Sequence, residues 1–373
     1  MFDKPLLILV RRAFPRTSLL WCRNFSAAKP SEHVPEGRPV SGGGGSPAGQ
    51  STSEKLIKVA IIGVPNAGKS TLINHLIDHR VCPTSMKVHT TRSVSKAIQS
   101  RSNSQIILFD TPGLVGEREM KKHQLDAGFV SSCRHAIQNS HLIGVVHDVS
   151  NTWTRNALNP VLLEVLKDHS SIPSFLILNK IDTLKSKRIL LDIVKNVTNN
   201  RLENIKNYSI RKRKSTTHKQ EEVERKGPES EGWPHFSEIF MVSAMTGDGL
   251  KEIMSFVQSH AKAGPWEHLA TEHTDQTPEE LIVQSVRARL LDYLPQEIPY
   301  LLHTELEFYE HIKGKIFASA VVTCPSERLE RLVCGEANGK LRQITERVTS
   351  DLIETFAGPV SLTIATRIKG KDK

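Results

Sequence analysis

The sequence predicts an α/β domain, a mostly parallel sheet with helices on both faces, followed by a smaller α+β domain whose elements run αββααβ. Three observations predict it. Between Leu56 and Gly264, near-continuous apolar runs of strand length alternate with helical segments, as expected for strands buried on both faces of a parallel sheet. A glycine-rich loop sits between the first of those strands and the first helix. Beyond Pro278 the pattern changes to a helix, two consecutive strands, two helices and a last strand. A length of 373 residues accommodates two such domains at about 150 residues each. The charged fraction of 24% and hydrophobic fraction of 38% exclude a wholly disordered chain. No run approaches the ~18 apolar residues of a membrane-spanning helix. Cys22, Cys82, Cys133, Cys324 and Cys334 form no CxxC pair, so neither a disulfide framework nor a structural zinc site is expected, and a reducing compartment is.

The first 54 residues precede both domains. Arg11, Arg12, Arg16 and Arg23 are interleaved with apolar and hydroxyl residues, and Asp3 is the one acid before Glu32. This is the composition of an amphipathic mitochondrial transit peptide over residues 1–25, with cleavage after Phe25. A disordered basic tail is the alternative. Residues 26–54, with Pro30, Pro35, Pro39, Pro47 and the run Ser41–Ser46, read as disordered linker. The formal charge of +10 points to an anionic partner, but it is unevenly placed. Residues 1–30 carry +5, residues 183–226 carry +8 and residues 227–280 carry −8.

Order begins with the strand Leu56–Ile62, and Gly63-Val64-Pro65-Asn66-Ala67-Gly68-Lys69-Ser70 follows at once, with a helix from Thr71 to Asp78. A GxxxxGKS loop between strand and helix is a phosphate cradle: backbone N–H groups and the helix N-terminus face the β-phosphate. Lys69 is expected to reach the β- and γ-phosphates, and the Ser70 hydroxyl to hold Mg²⁺. Val94–Ser100 and Gln105–Phe109 read as an antiparallel strand pair, the second ending in Asp110-Thr111-Pro112-Gly113. Asp110 is placed to bind Mg²⁺ through water, and Gly113 to offer its N–H to the γ-phosphate. The buried strands Leu142–Val149 and Ile172–Leu178 follow, and the latter ends in Asn179-Lys180-Ile181-Asp182. A carboxylate at Asp182 accepts from both the ring N–H and the amino group of guanine, a donor pair that adenine lacks. Asn179 is expected at the far edge of the base, and Lys180 along it. The strand Glu238–Val242 leads into Ser243-Ala244-Met245, whose Ala244 N–H is a candidate donor to the guanine oxygen. Four loops in this order at strand ends predict a P-loop domain that binds GTP or GDP rather than ATP.

These motifs, together with His89-Thr90-Thr91-Arg92, resemble the Era branch of the translation-factor-like GTPases. The resemblance covers about 55–265 and continues into the C-terminal segment. With the presequence, and with Gly232-Trp233-Pro234-His235-Phe236 before the last loop, it is greatest to the mitochondrial members of that family. It implies GTP hydrolysis coupled to binding near the 3′ end of small-subunit ribosomal RNA, and a role as an assembly factor of the mitochondrial small ribosomal subunit, in the matrix. It also allows a peripheral contact with the inner mitochondrial membrane, and a monomer is expected. In the family a threonine of the first switch completes the Mg²⁺ shell, which implies Thr91, with Thr90 next to it. Leu114 stands where Ras-like proteins have a water-positioning Gln, and Leu cannot orient water. Related GTPases with an Asn at the Asn66 position use it to hold K⁺, which implies slow intrinsic hydrolysis stimulated by K⁺. Catalysis then rests on positioning and electrostatics from Lys69, Mg²⁺ and backbone N–H groups, not on a general base.

The second domain is expected over 278–370: a helix with apolar residues at Leu281, Ile282, Val286, Leu290 and Leu294, strands Tyr300–Tyr309 and Lys315–Thr323, helices Pro325–Val333 and Lys340–Phe356, and a strand Val360–Arg367. This is the order of a KH domain of the second topology, which the Era family carries. The KH loop is normally GxxG and clamps a nucleic-acid backbone. Here it reads Gly335-Glu336-Ala337-Asn338, with Gly339 and Lys340 following. Asn338 tolerates the left-handed conformation of a second glycine, while Glu336 places a negative charge where phosphate should pass. Between Asp182 and the last loop lies a basic insertion at about 207–232, opening on Arg211-Lys212-Arg213-Lys214 after an expected helix Leu184–Ile205. It reads either as a solvated loop or as an electrostatic arm on RNA. His75 and His79, four apart, read as a solvated face. Two other functions fit the sequence less well: an RNA-binding module whose nucleotide is structural, and a GTPase whose C-terminal domain contacts a protein or membrane.

Overall fold

The computed structural model describes residues 54–85, 87, 93–116, 127–199, 232–295 and 297–370. The presequence reading at 1–25, the linker at 26–53, Thr90 and Thr91, and the basic insertion from 207 to 231 lie outside the described residues.

The elements run β1 (Lys55–Gly63), α1 (Lys69–Ile77), β2 (Ser95–Arg101), β3 (Ser104–Asp110), α2 (Ala127–Gln138), β4 (Leu142–Asp148), α3 (Pro160–Asp168), β5 (Ser174–Asn179), α4 (Ile189–Val197), β6 (Phe236–Met241), α5 (Leu250–Ser259) and the short β7 (Lys262–Ala263). The sheet order is β2-β3-β1-β4-β5-β6, with β7 on the start of β1. Strands β3, β1, β4, β5 and β6 are parallel, and β2 is antiparallel to β3 at the edge. Strands β3 and β5 are buried along their whole length, because helices cover both faces. On one face α1 and α5 bury Leu72, Ile73, Ile253 and Val257 against Ile57, Ile61 and Phe175. On the other, α2, α3 and α4 bury Ile137, Leu162 and Ile193 against Ile62, Val145 and Leu176. The chain order reverses between β1 and β4, so a crevice opens at the carboxyl ends of the strands, where open α/β sheets bind ligands.

The helix expected over Leu184–Ile205 is shorter at its start. A 3₁₀ turn at Ile181–Thr183 closes with Leu184 N–H on the Ile181 carbonyl, and α4 begins at Ile189. At its other end Asn199, at φ 50°, exchanges side-chain hydrogen bonds with Gly232. The connector after β7 is not a free linker. It runs along the exposed side of β2, where Ile98 N–H bonds the His273 carbonyl at 2.9 Å and Lys96 N–H bonds Asp275 at 2.8 Å. An edge strand covered in this way offers no free ladder to another chain.

The C-terminal elements are α6 (Pro278–Tyr293), α7 (Ile298–Leu301), β8 (His303–Ile312), β9 (Lys315–Cys324), α8 (Glu327–Cys334), α9 (Gly339–Phe356) and β10 (Val360–Ile368). Helix α6 starts at a capping box, with Thr277 and Glu280 satisfying each other's backbone N–H groups and Pro278 in the first turn. The expected strand from Tyr300 is corrected: Tyr300 lies in the one-turn helix α7, whose first turn holds Pro299, and β8 starts at His303. Lys313 and Gly314, both at positive φ, make the two-residue hairpin between β8 and β9. The sheet order is β10-β9-β8, with β9 and β10 parallel, and α6, α8 and α9 cover one face. Val286, Leu290, Val333, Ile344, Val348 and Leu352 close that core against Ala320 and Val322. The αββααβ order is therefore present, with α7 added between the first helix and the first strand.

Candidate active site

The glycine-rich loop leaves β1 at Gly63 and enters α1 at Lys69. Gly68, at φ +93°, takes a conformation that side chains avoid, and a Cβ there would lie 2.4 Å from Asn179 Nδ2. Gly113 is equally confined: its Cβ would meet Pro65 N at 2.6 Å. The loop of Asp110–Gly113 therefore packs directly on the glycine-rich loop. Together Pro65, Asn66, Lys69, Ser70, Thr71 and Gly113 line a concavity whose far wall is Pro83, Thr84 and Ser85.

Lys69 is buried and its ammonium donates to the carbonyls of Gly63 (3.2 Å) and Val64 (3.1 Å). Burial pushes its pKa down to about 8, against the opposing pull of Asp110. A phosphate arriving in the concavity supplies the missing negative charge. The Ser70 hydroxyl donates to Asp110 Oδ2 at 2.7 Å, so two hard oxygen donors from different loops already meet. That donor set suits Mg²⁺, which takes oxygen ligands and keeps several waters. Asn66 is exposed at φ 60°, at the mouth of the loop.

The base-selecting loops are stitched to the phosphate loop through one side chain. Asn179 Nδ2 donates to the Ala67 carbonyl at 2.8 Å, and its Oδ1 accepts from Ala244 N–H at 2.9 Å. The Ala244 N–H expected at the guanine oxygen is thus held by Asn179, because the buried Asn179 needs partners for both ends of its amide. Ser243 is fully buried and its hydroxyl accepts from Thr246 N–H. Asp182 is exposed at the open end of the site, so its discrimination between bases operates once a base covers it. Lys180, at φ 68°, forms an ion pair with Asp148 at 2.6 Å.

The partners of two residues of this region escaped the sequence reading. Asp148, at the end of β4, holds Lys180 with one carboxylate oxygen and Ser150 with the other. His75 Nδ1 on α1 contacts the Ala244 carbonyl. Both histidines are exposed, as a solvated face requires, but each also has a partner: His75 ties α1 to the last loop, and His79 stacks on His273 of the connector with ring centroids 3.7 Å apart. No motif signals either arrangement, since both depend on neighbours distant in sequence. Leu114 is buried in the core beneath the site and its N–H bonds the Gly63 carbonyl at 3.0 Å, so it positions backbone and not water. Cys82 and Cys133 are buried free thiols, and burial pushes Cys133 up to about 11. Among the described residues no cluster of His, Cys, Asp and Glu forms a separate metal site, and no helix is long and apolar enough to cross a membrane.

In the C-terminal domain, Gly335–Asn338 turns between α8 and α9 with Gly335, Ala337 and Asn338 all at positive φ. No side chain caps the first turn of α9. Lys340 folds back to the Leu332 carbonyl at 3.3 Å, and a Cβ at Gly335 would lie 2.7 Å from Lys340 Cβ.

A parallel sheet with this phosphate loop, an Asp closing β3 and an NKxD loop closing β5 defines a P-loop GTPase, here with a KH-like domain behind it. The family described as 50S ribosome-binding GTPase matches residues 58–180. Mitochondrial GTPase Era of Salmo salar is 32% identical, over 86% of this chain and 78% of its own. The same protein of Danio rerio is 31% identical over 86% and 77%, and GTPase Era of Sinorhizobium medicae 28% over 83% and 87%. Among solved structures, Era in complex with MgGDPNP and nucleotides 1506–1542 of 16S ribosomal RNA is similar with a TM-score of 0.66 at 20% identity, over 85% of this chain and 95% of that one. A variant of Aquifex aeolicus Era bound to GDP·AlF4⁻ gives 0.68 at 21%, over the same shares. The chain belongs to the Era family of GTPases, and it hydrolyses GTP.

Proposed function

We propose that this GTPase is an RNA-binding assembly factor of the mitochondrial small ribosomal subunit, acting in the matrix on the 3′ region of the small-subunit rRNA. One observation carries the reading: the wall of the phosphate site is tied to the KH-like domain. Ser85 donates to Asp292 at 2.6 Å and Lys87 donates to the Leu294 carbonyl, both at the end of α6. Five residues before Ser85, Arg80 pairs with Asp351 of α9 at 3.0 Å. A ligand that moves the Pro83–Ser85 wall therefore acts on the elements that present Gly335–Lys340. The mitochondrial relatives and the arginine-rich presequence support the compartment. The solved Era–rRNA complex supports the partner.

In this reading Ser70, Asp110 and Thr91 hold Mg²⁺, which supplies charge neutralisation at the phosphates. Gly63–Thr71, with Lys69 reaching the phosphates, and Gly113 hold the phosphate chain, and Asn66 holds K⁺. Asn179, Lys180, Asp182, Ser243 and Ala244 form the guanine end. The start of α9, which no side chain caps, takes an RNA phosphate together with Lys340.

The test is RNA binding by charge reversal, because Gly335→Asp would also strain the turn. Lys340→Glu should weaken binding to a fragment of the mitochondrial small-subunit rRNA 3′ end, and Glu336→Lys should strengthen it. Equal affinity of both variants and wild type would remove the loop from the RNA surface. GTP hydrolysis without any RNA binding would instead favour a protein partner for this domain.

A further inference from the structure

Trp153 is 94% exposed, more than any other large apolar side chain among the described residues. Its loop is nevertheless built to hold it. Asn151 Oδ1 accepts from Trp153 N–H at 3.0 Å, and the Asn151 carbonyl accepts from Arg155 N–H at 3.0 Å. His147 Nε2 donates to the Arg155 carbonyl at 2.8 Å. Behind it, Leu158 is buried in the core and Asn159 caps α3. The indole is therefore displayed by a hydrogen-bonded turn, and exposure of an aromatic ring costs free energy unless something covers it.

The surrounding chemistry indicates what covers it. From Val149 to Pro160 the loop carries Arg155 and no carboxylate. The neighbouring strand β5 pairs with β4 at Asp148 and Asn179, so the next loop leaves the same edge one strand spacing away. Beyond the exposed Asp182 of the base site, its continuation Thr183–Arg188 carries the exposed Lys185, Lys187 and Arg188. None of these three cations is in an ion pair among the described residues. An exposed indole on one loop and unpaired cations on the loop that follows the neighbouring strand have the composition of a single-strand contact: a base stacks on the ring and phosphates lie on the cations. An acidic protein segment would answer the cations but leave the indole without a stacking partner.

We propose that Trp153, with Lys185, Lys187 and Arg188, forms a second RNA contact on the GTPase domain that takes an unpaired nucleotide. The proposal rests on the reading of the chain as an RNA-binding GTPase. It adds a surface separate from the Gly335–Lys340 turn.

The experiment uses the full chain and a fluorescein-labelled 12-nucleotide oligouridine in anisotropy titrations at fixed salt. Trp153→Ala should weaken binding five-fold or more, Trp153→Phe should keep most of the affinity, and Lys187→Glu should weaken binding and flatten its salt dependence. RNA should quench the intrinsic fluorescence of wild type, with that quenching lost in Trp153→Phe. The melting temperature and GDP affinity of Trp153→Ala should match wild type, since the side chain packs on nothing. A 4-thiouridine crosslink on wild type should map to residues 149–159. Wild-type binding with an unaffected Trp153→Ala, or crosslinks confined to the C-terminal domain, would overturn the second contact and leave the RNA-binding reading intact. No RNA binding by wild type would overturn both. An RNA-neutral Trp153→Ala that loses a crosslink to a ribosomal protein would overturn the RNA contact in favour of a protein surface.

Discussion

One buried carboxylate is the hub of the ion-pair network at the joint between the two halves. Asp351 of α9 is 3% exposed and faces Arg289 Nε at 2.5 Å, Arg80 Nη2 at 3.0 Å and Arg347 Nε at 3.7 Å. Arg289 also holds Asp292 at 2.6 Å, so α6, α9 and the segment after α1 share one network. Asp351→Asn keeps the volume and removes the charge. Removing one partner of a buried pair typically costs about 3–5 kcal/mol, because the remaining charges stay desolvated. The low end applies here, about 3 kcal/mol, since Asp292 still holds Arg289 and Arg80 is 22% exposed. Arg80→Met removes the arm that crosses to the GTPase half together with its exposed pair to Glu354 at 3.0 Å, and solvent screening holds the cost to about 1 kcal/mol. Native-state hydrogen exchange is the assay, because a chain with two cores need not unfold in one step. Asp351→Asn should speed exchange of the most protected amides of α6 and α9 by about a hundred-fold, and leave β1 and β4 nearly unchanged. A double-mutant cycle should return about 1 kcal/mol of coupling between Arg80 and Asp351. A loss below about 1 kcal/mol for Asp351→Asn, or a loss spread evenly over both halves, would refute the network as the joint.

Three further outcomes follow from the site. Asp182→Asn should shift nucleotide preference from GTP toward XTP, because the amide donates where the carboxylate accepted; competition binding of the two nucleotides measures it, and an unchanged ratio would remove Asp182 from base selection. His147 is buried and burial lowers its pKa, so its neutral form stabilises the fold fully above its ordinary value near 6.5, and that contribution falls as pH drops below it. Urea denaturation at pH 7.0, 6.0 and 5.5 should show this loss, and His147→Gln should flatten it. Hydrolysis should be faster in K⁺ than in Na⁺ at matched ionic strength, and Asn66→Ala should abolish the difference; equal rates in wild type would end the K⁺ reading.

The site was legible where chemistry and local backbone coincide. Gly68 must be glycine for a local reason, its positive φ, and for a distant one, the approach of Asn179; the motif encodes both. The buried strands were legible because a parallel sheet covered on both faces needs continuous apolar runs, and β3 and β5 have them. What stayed hidden depends on partners far along the chain. Asp148 looks like any acid at a strand end until Lys180 arrives 32 residues later. Tyr300 reads as strand because it is aromatic, yet Pro299 in the first turn makes α7 the local outcome. The connector reads as an acidic link, and only its bonds to β2 make it part of the sheet edge.

The charge of the C-terminal domain bears directly on the proposed contact with RNA. Its arginines are largely committed within the fold. Arg289 and Arg347 face Asp351, Arg331 faces Glu327, Arg342 faces Glu346, and Arg367 faces Glu305 and Glu307. Arginines that already hold carboxylates release few counterions on binding, so the proposed contact at Gly335–Lys340 is mainly a positioning contact. On the proposed reading, most of the electrostatic part of RNA affinity then comes from elsewhere on the chain. The sequence offers two sources: the cations at Lys185, Lys187 and Arg188, and the basic segment beginning at Arg211. Both belong to the GTPase half. Charge reversal at Lys340 should therefore change the salt slope by about one phosphate contact, whereas combined reversal of Lys185, Lys187 and Arg188 should change it by about three. If the Lys340 variant carries the larger change in slope, the C-terminal domain supplies the electrostatics after all, and the division of labour between the two halves is reversed.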